Sequence, residues 1–190
     1  MLKTKVKAGN ITNLSDARYC AGMGVDWLGF PIDSIDPKTF KEITGWVTGP
    51  QFVLEISAGP FPALLDYPVT TVQISYQQLK ESESLNQSLI ITLPALDWPT
   101  TKSELIKNKP RILGILVTGL TGSQVSDKVT LKEIADYFEV LIDLEACPYS
   151  LNEVLDFQIA GINISGNQEL KPGLKDYADL AVVLEQLECD

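Results

Sequence analysis

The sequence contains no histidine. That absence removes Ser-His and Cys-His nucleophilic pairs, histidine-ligated metals and imidazole acid–base chemistry, so proton transfer would fall to Asp, Glu, Lys, Cys, Tyr or water. Cysteine is scarce: Cys20, Cys147 and Cys189 are an odd and widely spaced set, neither a disulfide framework nor a zinc pattern. No apolar run approaches the roughly 20 residues of a membrane span. The opening MLKTKVK enters a strand without the apolar core of a signal peptide. These absences lead us to expect a cytoplasmic protein with no membrane partner. Positive charge is in deficit, with 15 Lys and Arg against 25 Asp and Glu and a net charge of −10. Such a field repels phosphate backbones, and no basic stretch offsets it, so nucleic acid is not an expected partner. No linker or low-complexity segment divides the chain, so residues 1–190 are expected to form one domain.

What the chain does contain is alternation. Eight strand-like segments are predicted: Lys5–Gly9, Val25–Ile32, Phe52–Ser57, Thr70–Ser75, Leu89–Pro94, Ile112–Thr118, Val140–Glu145 and Gly161–Ser165. Helical or loop stretches lie between them. Asp36–Val47 carries Pro37 in its first turn, and Pro62–Tyr67 is at most one or two turns. Gln77–Glu83 and Lys102–Asn108 read as short polar helices. Leu131–Tyr137 and Leu151–Phe157 follow the capping residues Thr130 and Ser150. Asp176–Leu187 closes the chain with a stripe of Leu180, Val183, Leu184 and Leu187. Eight strands alternating with helices predict an α/β fold, a compact single-domain (βα)8 TIM barrel. Typical barrels have about 250 residues, so some helices here must be short or missing.

The first segment, KVKAGNITNLSDARYCAGMGVDWLGF, reads as strand, turn, helix and strand. It resembles the opening of phosphoribosylanthranilate isomerase, which has a strand ending K-x-C-G-[IL]-T, a helix beginning near N-L-E-D-A and a strand ending L-G-F. Lys7, Ile11, Thr12, Asn13, Leu14, Asp16, Ala17, Leu28, Gly29 and Phe30 fit that pattern. At the far end, INISGNQELKPGLKD is similar to the family's eighth strand and following loop, V-D-V-S-S-G-V-E-x-x-P-G-V-K-D. Ser165, Glu169, Pro172, Gly173, Lys175 and Asp176 match without a gap. Val72-Gln73-Ile74 resembles the family's fourth strand.

The resemblance implies an intramolecular sugar-phosphate isomerase of tryptophan biosynthesis. Its reaction is the Amadori rearrangement of N-(5'-phosphoribosyl)anthranilate, it needs no cofactor, and the protein is a monomer or homodimer binding a small phosphorylated or anionic metabolite. It also implies where the chemistry should lie, and there the chain departs. The family's base, a cysteine, falls on Gly9, and its neighbouring glycine falls on Asn10. The family's acid, an aspartate ending strand six, falls on Thr118, or on Val117 if the register slips. A glycine pair after strand seven falls near Ala146, Cys147 and Pro148, and Pro148 has no N–H to offer. An arginine expected after strand two is missing from Pro31-Ile32-Asp33-Ser34. The expectation is a phosphoribosylanthranilate isomerase-like protein, a diverged member with Gly9 and Thr118 in place of the family's catalytic Cys and Asp and so a candidate pseudoenzyme. The rival is a non-catalytic paralogue that binds a small ligand or a protein partner at the barrel mouth.

Strand alternation shows what stands in the interior instead. Lys7, Val53, Glu55, Ser57, Thr71, Gln73, Ser75, Leu141, Asp143, Glu145, Cys147, Asn163 and Ser165 are predicted to face inward. Three readings stay open. Lys7 forms a buried ion pair with Asp143 or Glu55. Or Glu55, Asp143, Glu145 and Lys7 form a new acid–base site. Or those carboxylates hold Mg²⁺ or Ca²⁺. Candidate ligand-binding residues are Asn10, Gln73 and Thr118 in the mouth, Thr121 and Gly122 in a glycine-rich loop that offers backbone N–H groups, and Ser165, Gly166 and Asn167 at the end of strand eight. Cys20 is read as core, Cys147 as an idle thiol and Cys189 as exposed. Trp27, Trp46 and Trp98 are expected to pack helices onto the barrel.

Overall fold

All eight predicted strands form, and they close into an all-parallel barrel in the order β1 to β8. The computed structural model describes residues 2–57, 61, 64–165 and 178–189. In chain order the elements are β1 (Lys5–Gly9), α1 (Leu14–Gly22), β2 (Trp27–Pro31), α2 (Pro37–Thr44), β3 (Gln51–Ile56), β4 (Thr71–Ser75), β5 (Ser88–Pro94), α3 (Trp98–Lys107), β6 (Ile112–Thr118), α4 (Gln124–Ala135), β7 (Val140–Asp143), α5 (Leu151–Leu155), β8 (Gly161–Ser165) and α6 (Ala178–Leu187).

Local chemistry explains the helix starts. Asn13 caps α1 by accepting from the Asp16 N–H at 3.0 Å, and Gly24 follows the helix at φ +81. Asp36 caps α2 by accepting from Lys38 and Thr39, with Pro37 in the first turn. Ser150 and Glu153 form a reciprocal capping box on α5. Phe40 of α2 packs edge-on against Phe30 at 5.0 Å and against Tyr67 at 5.4 Å. Tyr67 donates to the Ile35 carbonyl, so this aromatic cluster covers the barrel where β3 and β4 are joined without an α-helix among the described residues.

Several connections differ from expectation. The stretch 77–83 is two 3-10 turns, Tyr76–Gln78 and Glu81–Ser84, and between β3 and β4 only Leu64–Asp66 is helical among the described residues. α3 begins at Trp98, four residues early, with proline in its first turn. α4 begins at Gln124, so Thr130 lies inside a helix rather than capping one. β7 ends at Asp143, so Glu145 and Cys147 lie in the following loop. The predicted stripe of α6 holds, with Leu180, Leu184 and Leu187 buried and Val183 packed against the core.

Two apolar layers result. The larger lies between barrel and helices and includes Cys20. The smaller lies inside the barrel and consists of Trp27, Val53, Ile90, Leu116 and Leu141. Trp27 therefore plugs the barrel instead of packing a helix, and Trp46 is largely exposed, at 75%; of the three, Trp98 belongs to the buried layer between barrel and helices as expected. The apolar plug fills the lower interior. The polar residues stand above it, toward the strand C-termini, where (βα)8 enzymes hold their chemistry.

Candidate binding site at the barrel mouth

The period-two alternation of β1, β3 and β8 sends Lys7, Glu55 and Asn163 into the interior together. Lys7 is fully buried. Its ammonium donates to Glu55 Oε1 in a close ion pair and to Asn163 Oδ1 at 3.1 Å. Glu55 Oε2 accepts from the Asn10 backbone N–H at 2.9 Å. Asn163 then donates from Nδ2 to Asp143 Oδ1 at 3.1 Å. The chain Glu55–Lys7–Asn163–Asp143 thus spans β3, β1, β8 and β7. Burial of this kind is tolerated only when charge is paired and the remaining polar groups are hydrogen-bonded. Of the expected partners for Lys7, Glu55 takes the direct contact and Asp143 is reached through Asn163.

Two glycines leave room for the pair. A Cβ on Gly29 would press into the Glu55 carboxylate and stand 2.7 Å from Lys7 Nζ. A Cβ on Gly9 would stand 2.7 Å from Glu55 Oε1, 3.1 Å from Lys7 Nζ and 3.3 Å from Asn163 Oδ1. Asn10 adopts φ +56, a left-handed conformation that asparagine tolerates better than most residues. The chain therefore turns after β1 through a backbone conformation that glycine adopts most readily.

Above the pair lies a cavity of about 400 Å³, within the usual size of a small-molecule site. Its wall includes Gly9, Asn10, Glu55, Ser57, Gln73, Ser75, Thr92, Asp143, Asn163 and Ser165. Gln73 Oε1 is buried there without a hydrogen-bond partner among the described residues. A polar atom in that state costs about 1–3 kcal/mol. Glu145 stands at the rim, where its Oε2 accepts from Ser165 Oγ at 3.0 Å. Thr118, at the end of β6, is not part of the wall. Gly166 and Asn167 lie outside the described residues, as do Glu169, Pro172, Gly173, Lys175 and Asp176. Among the described residues, no group of three or more Cys, Asp or Glu is placed to hold a metal ion.

The glycine-rich loop after β6 has a different occupant. Asp127, buried in α4, takes the N–H groups of Thr121 and Gly122 at 3.0 Å each, the Thr121 hydroxyl at 2.9 Å and the Tyr149 hydroxyl at 2.6 Å. The backbone donors expected to receive a ligand are spent on a carboxylate of the chain itself. Burial works to raise the Asp127 pKa, but the bonds from Tyr149, Thr121 and Gly122 outweigh it and hold the group below the usual carboxylate range. Burial and that same carboxylate push the Tyr149 phenol up to about 12. Burial also pushes the Cys147 thiol up, away from the thiolate a nucleophile requires.

Asp127 and Tyr149 were not singled out from the sequence, and Gly29 was named only as part of the L-G-F match. Asp127 carried one available signal: with Leu131 and Ile134 it completes an i, i+4, i+7 stripe on the buried face of α4. Tyr149 carried none.

No family model and no curated protein sequence matches the chain. Solved structures do. A phosphoribosylanthranilate isomerase from Thermus thermophilus is 18% identical, with 96% of this chain and 98% of that one covered at a TM-score of 0.69. A phosphoribosylanthranilate isomerase in complex with reduced 1-(o-carboxyphenylamino)-1-deoxyribulose 5-phosphate is 16% identical, with 96% and 97% covered at a TM-score of 0.72. A monomeric form of the dimeric Thermotoga maritima enzyme is 15% identical, with 97% and 98% covered at a TM-score of 0.69. The whole chain thus shares the fold of phosphoribosylanthranilate isomerases, and at this identity the likeness speaks for the fold alone.

Proposed function

We propose that this phosphoribosylanthranilate isomerase-like barrel does not carry out the isomerisation and that its mouth binds a small polar ligand. One observation carries the reading: the volume beside Gly9, where the family's base would stand, is filled by the Glu55 carboxylate. The rearrangement needs a base for the ribose C2 proton and an acid for the ring oxygen, facing each other across the mouth. Position 9 has no side chain, and Thr118 has no proton to give at neutral pH and does not line the cavity. The cavity itself is retained, with polar side chains converging from five strands, which supports binding without the family's chemistry.

The test is turnover of N-(5'-phosphoribosyl)anthranilate by the purified chain, followed by loss of anthranilate fluorescence and paired with complementation of a tryptophan auxotroph. We expect neither conversion above the uncatalysed background nor growth. Conversion at an ordinary enzyme rate, about 1 per second or faster, overturns the reading. The position of Glu55 favours one alternative: a carboxylate in the lost base's volume is a relocated base. If conversion occurs and Glu55→Gln abolishes it, that alternative holds.

A further inference from the structure

Resting on the reading of the mouth as a binding site, we propose that its ligand is a small cationic hydrogen-bond donor, a hydroxylated ammonium compound, rather than a phosphorylated one. Two features of the cavity and one of the loop after β6 support this choice.

The first is charge. The cavity wall carries two carboxylates, Glu55 and Asp143, and no cation among the described residues. Lys7 lies beneath the wall, fully buried, with its ammonium engaged by Glu55 and Asn163. Glu55 is therefore balanced, and Asp143 has no cation beside it among the described residues. Among the described residues its Oδ1 receives only neutral donors, Asn163 Nδ2 at 3.1 Å and the Glu145 N–H at 3.4 Å. A negative charge so placed beside a half-enclosed cavity concentrates cations and repels phosphate.

The second is the supply of donors and acceptors. Asn163 spends its carbonyl on Lys7 and its amide on Asp143, so its side chain has little left for a ligand. Gln73 Oε1 is an acceptor without a donor among the described residues. Asp143 Oδ2 receives no hydrogen bond among the described residues. A ligand rich in N–H and O–H groups satisfies these acceptors, and a phosphate, which only accepts when ionised, leaves them bare. Ser57, Ser75, Thr92 and Ser165 line the same wall with hydroxyls that pair with either kind of group.

The third is the loop after β6. Its Thr121 and Gly122 N–H groups, the backbone donors that would otherwise welcome an anion, are closed by Asp127.

The test uses three molecules that share a hydroxyl framework and differ in charge: glucosamine, glucose and glucose 6-phosphate. Each is titrated into the full chain while the side-chain amide resonances of Asn163 and Gln73 are followed by NMR. Glucosamine is expected to shift both resonances and to bind about tenfold more tightly than glucose, the ratio that about 1.4 kcal/mol of added charge pairing gives. Glucose 6-phosphate is expected to leave them unmoved. Asp143→Asn, with its fold checked by the urea midpoint, should erase the preference for glucosamine over glucose. Tighter binding of glucose 6-phosphate, equal binding of glucosamine and glucose, no response to glucosamine, or a preference that survives Asp143→Asn each overturns the proposal. Conversion of phosphoribosylanthranilate would sink the reading of function while leaving this charge preference to stand or fall by its own titration.

Discussion

Two places in this barrel put a carboxylate of the chain where something else would be expected, and they handle it in opposite ways. At the mouth, Glu55 fills the volume beside Gly9 and is held by a buried ammonium. In the loop after β6, Asp127 fills a backbone nest and is held entirely by neutral donors, two N–H groups and two hydroxyls. The mouth network ends in Asp143, which has no cation partner among the described residues, beside an open cavity. The loop network ends in itself. The first therefore leaves acceptors facing a cavity; the second is a strut joining the loops after β6 and β7.

The sharpest way to break that comparison is to remove one charge from each region. Lys7→Met leaves Glu55 without its cation in a nearly closed interior. The cost should be about 3 kcal/mol, the low end for a broken buried pair, because the Glu55 side chain is 16% exposed and partly hydrated. Urea denaturation of Lys7→Met and of Lys7→Met/Glu55→Leu checks it, and the double variant should recover most of the loss, since an apolar pair of similar volume often replaces an ion pair at little cost. Asp127→Asn should cost less, about 1–3 kcal/mol. Its amide nitrogen would face donors already committed to an oxygen, yet no charge is left stranded. If Asp127→Asn proves the more damaging, the strut and not the ion pair is the keystone of the mouth.

Gly9→Cys sharpens the comparison from the other side. The new Cβ meets Glu55 Oε1 at 2.7 Å, so the substitution should destabilise by about 1–3 kcal/mol through overpacking. In the Lys7→Met/Glu55→Ala background that cost should largely vanish, and a denaturation cycle over the four proteins measures the coupling. A Gly9→Cys chain as stable as the wild type would mean that Glu55 moves aside freely and that the base's volume is not truly taken.

These two regions were unequally legible. The mouth could be read because strands turn sequence parity into direction: Lys7, Glu55, Gln73, Asp143 and Asn163 all face the interior, as alternation required. Alternation puts Trp27 inward too, in step with Gly29 and Pro31, although it was expected to pack a helix; its indole lies in the apolar plug with Val53, Ile90, Leu116 and Leu141. The strut was hidden because it breaks the apolar code. The buried face of α4 begins with a charged residue, Asp127, while Val125 and Val129 point to solvent at 79% and 56% exposure. Apolar periodicity therefore started the helix at Leu131, and the carboxylate that closes the loop fell outside it.

Tyr149→Phe gives the smallest effect at neutral pH, about 0.5–1.5 kcal/mol for one lost hydrogen bond, but it separates the regions by their pH dependence. Asp127 titrates lower in the folded chain than unfolded, so its contribution is present above the ordinary carboxylate range and is lost as pH falls through its depressed value. Tyr149 titrates at about 12 when folded, against 10.0 as its ordinary value, so its contribution is present below 10 and is lost as pH rises toward 12. The two partners thus support a plateau with a falling limb at each end. Phenylalanine removes the share of the alkaline limb that Tyr149 supplies, leaving that of the other raised groups, Tyr19, Tyr67 and Cys147. It also removes the strongest of the bonds that hold Asp127 down, so the acid limb should move to higher pH. Urea midpoints across the pH range, wild type against Tyr149→Phe, read both shifts. If the two curves differ by a constant, the strut is ordinary packing and the contrast with the mouth loses its electrostatic basis.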